Sequence, residues 1–520
     1  MRSLLAVVLS LSVLAACGGG GGGRGAAGDG KYIVGGKIYG LLVPSTELVL
    51  QNNGSDDLSR SSNGTFVFAT KIADKAGYSV TIKTQPDGQT CKANNNAGTV
   101  SGANVTTVSI VCTVKWTWTQ QLGVPGLATA SAGVAVDPAG YVYVAGTTEG
   151  GLDGNGLVGT SDFFVTKYTS TGGKVWIQQL GVAGQDTHAT GVAVDPDGNV
   201  YVSGDTNGGL PGNALIGTHD IFVTRYSTTG TRVWIKQLGV SGRITESHGV
   251  AVDPSGNAYV AGKTDGGLDG NILTGNADLF VTKVSSTGSI VWTRMLGASA
   301  KETSAEGVAV DPAGNVYVAG YTDGGLDGTL VGTIDLFLTK YTSTGDLIRT
   351  RQLGVSGKDT IANGVAADIT GNAYVTGRTN GGLDGNILTG TADLFVATYD
   401  GSGNNVRVKQ LGASGKYTEG HRVAVDASGN VYVSGYTDGG LDGNARALTG
   451  NGDFFVTKYD PAGNKLRTKQ WGPANATGVA VGPDNDVYVT GLTSSALEGS
   501  TITGTTDLFL VKDDPLGSFP

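Results

Sequence analysis

Asp265 and Asp269 stand four residues apart in the segment TDGGLDGN, residues 264–271. Two carboxylates among glycines is a pattern with which loops wrap a hard cation such as calcium in oxygen ligands. Near-copies recur along the chain. The first acidic position holds Glu149, Asn207, Asp265, Asp323, Asn380, Asp438 and Ser494; the second holds Asp153, Pro211, Asp269, Asp327, Asp384, Asp442 and Glu498. Pro211 offers no side-chain oxygen, Gly267 occupies the place of a ligand in an EF-hand loop, and no Glu closes the segment at the twelfth position. Asp, Asn and Ser do interchange where a short side chain accepts a hydrogen bond from turn backbone. Leu152, Leu210, Leu268, Leu326, Leu383, Leu441 and Leu497 occur in every copy, as a loop that folds back and packs would need. These segments are therefore expected to be structural turns. Asp265, Asp269, Asp323, Asp327, Asp438 and Asp442 are the weak calcium candidates, and no other cofactor is expected.

Other polar residues follow the same logic. Asp162, Asp220, Asp278, Asp335, Asp393, Asp453 and Asp507 recur at one position. Acid–base chemistry needs a carboxylate pair once, whereas a backbone anchor is needed in every copy, so these are expected to be anchors. The histidines are His188, His219, His248 and His421. His248 and His421 match in register but lie three repeats apart, too far on this reading to share a metal. Neither a zinc pattern nor a Ser–His–Asp grouping emerges. No non-repeated acid–base cluster is seen, so no catalytic residue is expected. The one break in charge is a run of basic residues, Arg243, Lys301, Lys358 and Lys416, where two earlier copies carry Leu127 and Gln185. These four are the candidate binding residues.

The elements that must position these residues follow from a long repeat. GVAVDP and its variants begin at Gly133, Gly191, Gly249, Gly307, Gly364, Arg422 and Gly478. A steady period of this length marks a solenoid or a propeller. Each unit reads as four strands: GVAVDP, then VYVAG, then the glycine loop, then DLFVTKY, a TSTGG turn and KVWIQQLG. Four strands repeated seven times predict a seven-bladed β-propeller. The last unit lacks a fourth strand, while KWTWTQQLG at 115–123 precedes the first unit and matches KVWIQQLG at 174–181. That orphan strand is expected to pair with the third strand of the last unit and remove the open edge. Connections in a blade alternate between rims, so the glycine loops share an upper rim with the links between units. Function is expected there, on long loops over a rigid frame. Trp118, Trp176, Trp234 and Trp292 on the fourth strands give way to Arg349, Arg407 and Arg467.

The motifs GVAVDPxGNxYVxG and DxFVTKY over about 115–513 resemble the SBBP-type propeller repeats of exported bacterial proteins. That resemblance implies the propeller fold and implies no particular reaction. Residues 31–113 contain short runs such as TELVLQNNG and YSVTIKT between turn signals, as in a small antiparallel sandwich; they resemble Ig-like stalk domains. At the front, Arg2 and the apolar stretch 4–16 read as an export signal too short to span a membrane. It ends in LAAC, which resembles the lipobox of bacterial lipoproteins and implies lipidation of Cys17. Residues 18–30 are a Gly-rich tether. With Cys17 lipidated in an oxidising compartment, Cys91 and Cys112 are left to pair.

The domains expected are thus a signal peptide at 1–16, a lipidated Cys and tether at 17–30, an Ig-like sandwich at 31–113, and a propeller at 114–520. Charged residues make up only 15% of the chain and the net charge is −9, with no contiguous stretch of Lys and Arg, which argues against a nucleic-acid partner. The expected function is a non-catalytic, lipid-anchored binding or scaffolding module of the cell envelope, on the outer membrane by resemblance, with a protein or glycan partner at the upper rim. The membrane is met through the lipid alone. The alternative is a propeller enzyme, a polysaccharide lyase or hydrolase, with its site at the upper channel mouth.

Overall fold

The computed structural model describes residues 30–39, 41, 47–86, 89–114, 118–442, 452–497 and 500–513. The expected signal peptide at 1–16, the expected lipidation point Cys17 and the Gly-rich stretch up to residue 29 lie outside the described residues. The chain divides into two units between Lys115 and Trp116. Nearly all regular structure is β, and no helix among the described residues is long and apolar enough to cross a membrane.

The described residues of the N-terminal unit form two four-stranded sheets and a two-stranded one. Val34, Leu48, Leu50, Phe66, Val80 and Ile110 fill its core. One sheet includes a parallel pair, Val105–Val114 beside Val34–Tyr39. Cys91 and Cys112 form a disulfide between directly paired residues of adjacent strands. The bond therefore ties two neighbours in one sheet and does not cross the core.

In the second unit the described residues form seven four-stranded antiparallel sheets in a propeller-like array. The first repeat shows the plan: Thr129–Val136, Val142–Thr148, Asp162–Tyr168 and Lys174–Leu180 pair in chain order. Middle strands are buried on both faces, as in Val142–Thr148 and Asp162–Tyr168, because neighbouring sheets pack face to face. The seventh sheet is composite. Trp118–Leu122 pairs antiparallel with Asp507–Asp513, with Trp118 opposite Lys512 and Leu122 opposite Leu508. The first strands contact one another in sequence, and Asn475–Val481 lies against Thr129–Val136, so the circle closes. Glycine at the start of GVAVDP permits this convergence. A Cβ on Gly478 would stand 3.1 Å from the Gly133 Cα, and one on Gly307 3.2 Å from the Gly364 Cα.

Candidate functional site: the loop rim and the channel

Each glycine loop is tied down by a recurring side-chain network. In the second repeat Asp220 accepts the backbone N–H groups of Ile216 and Gly217, both at 2.8 Å. Gln237 from the fourth strand donates to Asp220 Oδ2 at 2.9 Å and to the Gly208 carbonyl at 3.1 Å, and accepts the Leu210 N–H at 3.0 Å. Leu210, thereby held, is fully buried. Gln179, Gln352, Gln410, Gln470 and Gln121 repeat the contact to the matching Asp. The third repeat has Met295 instead, whose sulfur lies 3.3 Å from the Leu268 N–H. The recurrent Asp is legible in the sequence as an anchor. Its glutamine partner escapes the sequence reading, although a Gln stands just before the closing Leu or Trp of the fourth strand in six of the seven copies.

The first acidic position of each loop makes a second tether. Asp265, Asp323 and Asp438 accept the link N–H of Ile244 (2.7 Å), Glu302 (2.7 Å) and Tyr417 (2.6 Å). Asn207 and Asn380 do the same for Asp186 and Asp359, each at 2.8 Å. One carbonyl-type oxygen serves this bond, which is why Asn replaces Asp. At the second position Asp153, Asp269, Asp384 and Asp442 have φ between 52° and 56°, a left-handed turn conformation that Asp tolerates. Several of their heads turn outward: Asp153 pairs with Lys174 at 2.7 Å, Asp442 pairs with Lys465, and Asp327 at the same position pairs with Arg351 at 3.2 Å. The six weak calcium candidates therefore spend their oxygens on link backbone or lie at turn corners. Among the described residues no group of three His, Cys, Asp or Glu converges on a metal position.

Arg243, Lys301, Lys358 and Lys416 lie on consecutive links along the same rim, all exposed. Their stems rest on loop glycines. A Cβ on Gly266 would come within 2.9 Å of Arg243 Cγ, one on Gly324 within 3.0 Å of Lys301, one on Gly381 within 3.0 Å of Lys358 and one on Gly439 within 2.9 Å of Lys416. Leu127 and Gln185 cover Gly150 and Gly208 in the same way. The apolar part of each residue is thus structural, and the charged head is surplus to it. Among the described residues Lys301 has one weak partner, Asp323 at 3.7 Å, and the other three heads have no ion pair. Ile272 and Ile387, on glycine loops of this rim, are each 86% exposed.

The exchange of Trp for Arg on the fourth strands preserves a contact. Trp118, Trp176, Trp234 and Trp292 donate Nε1–H to the turn carbonyls of Ser170, Thr228, Ser286 and Ser343 in the next repeat. Arg349 and Arg407 donate to the equivalent carbonyls of Ser402 (2.7 Å) and Pro461 (2.9 Å).

The channel is where the repeats differ. Just before the recurrent glycine the first strands carry Ala132, Thr190, His248, Glu306, Asn363, His421 and Thr477. His248 Nδ1 lies 2.7 Å from the Ala305 carbonyl and 3.3 Å from Glu306 Oε1, which also accepts the Ser304 hydroxyl at 2.6 Å. Burial works against the His248 imidazolium, but the hydrogen bond to Glu306 and its charge outweigh this and raise the His248 pKa. Burial likewise opposes the Glu306 carboxylate, and His248 overcomes it and holds the Glu306 pKa down. Glu419 accepts Asn363 at 2.8 Å and Tyr417 at 2.5 Å, with Arg378 at 3.2 Å and His421 at 3.5 Å. Burial disfavours its charge, yet His421 and these donors bring its pKa down to about 2. His248, Glu306, Thr190 and Arg422 line one cavity of about 180 Å³. A second, of about 430 Å³, is lined by the DP turns, including Asp137, Asp195 and Asp253.

The expectation that no non-repeated acid–base group exists needs correcting here. His248 and Arg422, three repeats apart along the chain, line the same channel cavity because the first strands converge. The signal stands in the seven aligned copies as the most variable polar position.

The family model described as SBBP, a β-propeller repeat, matches residues 117–153, 175–211, 233–269, 291–327, 348–384 and 406–442. Each match runs from a fourth strand through a link and the next two strands into the glycine loop. The chain belongs to the SBBP β-propeller repeat family. Among curated proteins this SBBP chain is 25% identical to the regulatory protein FlaEY of Caulobacter vibrioides over 361 residues, 60% of the chain and 36% of that protein. It is 24% identical to an uncharacterised WD repeat-containing protein, L264, of Acanthamoeba polyphaga mimivirus over 319 residues, 44% of the chain and 23% of that protein. The SBBP chain thus spans about a third and about a quarter of the lengths of these relatives. Among solved structures, the WD40 β-propeller domain of Doa1 aligns with TM-score 0.43 at 11% identity, covering 77% of this chain and 98% of that one. The Dos1 propeller aligns with TM-score 0.41 at 10% identity, covering 77% and 97%.

Proposed function

We propose that this SBBP protein is a lipid-anchored, non-catalytic binding module of the bacterial cell envelope, a seven-bladed propeller at 114–520 preceded by an Ig-like sandwich at 31–113. Cys17 is the lipidation point, and the outer membrane is the proposed location. The partner is an envelope protein or a glycan, met on the rim of glycine loops and links. The observation that carries this reading is the set Arg243, Lys301, Lys358 and Lys416: their stems serve the fold, their heads do not, and they share a rim with solvent-facing Ile272 and Ile387. Exposed cations and apolar tips on a rigid frame suit a partner that offers acidic groups and apolar contact. The curated relative named a regulatory protein is compatible with a role in binding.

The test is retention of the full chain on a panel of acidic glycans and purified envelope proteins. Replacing the four basic residues with Ala should weaken retention by about tenfold or more, as the loss of several interfacial charges usually does. Unchanged retention would remove the rim from consideration. Anchoring is read separately: C17S should move the protein from the membrane fraction to the soluble envelope fraction.

A further inference from the structure

Arg422 is the exception in the glycine circle. The matching residues are Gly133, Gly191, Gly249, Gly307, Gly364 and Gly478. Several of those positions approach the neighbouring first strand closely, so glycine has a steric reason to be there. At Arg422 the chain places the largest cation instead. Its guanidinium donates through Nη1 to the Asn363 carbonyl at 2.7 Å and the His421 carbonyl at 3.0 Å. Among the described residues Nε and Nη2 have no protein acceptor, and the side chain lines the 180 Å³ channel cavity with His248, Glu306 and Thr190. Among the described residues no carboxylate lies within ion-pair distance of it. Glu306 is the acid that acts on it, through space, and that acid is already engaged by His248 and Ser304.

Arg422 is half-buried; Nη1 is held by two carbonyls, and with no carboxylate in contact the other donors of its fork are left for a ligand in the channel. Its planar fork is shaped for two parallel hydrogen bonds to a carboxylate. A cavity of about 180 Å³ has room for a carboxylate of two to four carbons. The rest of the wall is mainly Gly and Val, suited to a short aliphatic chain. Thr190 and the His248–Glu306 pair supply polar contacts on other first strands. We propose that the channel holds a small carboxylate, bound through Arg422. This site is separate from the rim and does not depend on the rim reading.

The test is titration calorimetry and thermal melting of the full chain with acetate, succinate, phosphate and sulfate at constant ionic strength. A saturable response to acetate or succinate is expected. R422G should abolish it, with affinity lower by at least about tenfold, the usual worth of a charge-assisted pair. R422G restores the residue of the other six repeats, so the fold is expected to survive, and near-UV circular dichroism checks this. E306Q removes the competing acid and should tighten carboxylate binding, which provides a second readout should R422G fail to fold. No response of the native chain, or an equal response of R422G, overturns the proposal. A response to phosphate and sulfate but not to carboxylates overturns it in favour of a tetrahedral oxyanion.

Discussion

Replacing Gln237 with Met should destabilise the second repeat, because the array itself supplies the control. Gln237 is 4% exposed and makes three side-chain bonds: to Asp220 Oδ2 at 2.9 Å, to the Gly208 carbonyl at 3.1 Å and from the Leu210 N–H at 3.0 Å. Met295 occupies the matching place in the third repeat, so the side chain is accommodated there without rearrangement. Loss of the bond to a carboxylate is worth about 1.5–3 kcal/mol and loss of the two neutral bonds about 1 kcal/mol each. Asp220 keeps two backbone donors, Ile216 and Gly217, which limits the penalty for leaving it buried. Met recovers about 1–2 kcal/mol as apolar burial. The net expectation is a loss of about 2 kcal/mol, with the reciprocal M295Q gaining about 1 kcal/mol. Urea unfolding monitored by fluorescence reads the global shift, and amide exchange at Leu210 reads the local one. Sheets of this kind can open separately, so the local probe is decisive. If Q237M leaves Leu210 exchange and the unfolding midpoint within error of the native chain, the network does not hold the loop, and the explanation of the recurrent Leu goes with it.

Two further perturbations test the rim and the channel. D265N should be silent, since Asn207 and Asn380 make the same bond to their links, whereas D265A should cost about 1 kcal/mol through loss of the Ile244 contact; calcium should leave the melting temperature of all three proteins unchanged, and a calcium-dependent rise confined to the native chain would restore the cation reading. The His248–Glu306 pair should impose a pH dependence on stability. The His248 pKa is raised above 6.5, so its contribution is complete below that value and fades as pH rises through the folded-state pKa. The Glu306 pKa is depressed below 4.5, so its contribution is complete above that value and fades as pH falls through the folded-state pKa. Melting curves between pH 4 and 8 should show the native chain losing stability above about pH 6.5 relative to E306Q, and parallel profiles would show that the pair is not coupled.

The architecture was legible because one pattern was repeated. Strand order, loop placement and the closure of Trp118–Leu122 onto Asp507–Asp513 follow from where the repeat begins and ends. The packed Leu of each loop, buried in six copies and partly buried at Leu326, was legible for the same reason, and the recurrent Asp was recognisable as an anchor. Contacts between repeats were harder to see. A division of the fourth strands into an aromatic side and a basic side misses their shared duty, since Trp234 and Arg349 each donate to a turn carbonyl one repeat on. Nothing in local sequence states that the partner of a side chain lies some fifty residues further along. Which side chains share the channel is not stated by spacing along the chain either, because the first strands of all the repeats converge there.

A break in a repeat is therefore informative only when the replacement does not keep the contact. Asn207 for Asp265 keeps a backbone tether, Arg349 for Trp234 keeps a carbonyl contact, and Lys301 for Leu127 keeps a stem over a loop glycine. Each of these changes residue type without changing what the fold receives. Two breaks leave something over. The heads of Arg243, Lys358 and Lys416 exceed what stem packing requires, and Arg422 adds a cation where the fold asks for no side chain. The first excess faces bulk water, where an unpaired charge costs little and selection can place it freely. The second lines the narrow channel, where Nη1 is held by two carbonyls and no carboxylate pairs with the guanidinium among the described residues. Arg422 ties its strand to the Asn363 carbonyl through Nη1 yet keeps Nε and Nη2 without a protein acceptor among the described residues, so the channel, not the rim, is the sharper place to look for what this protein binds.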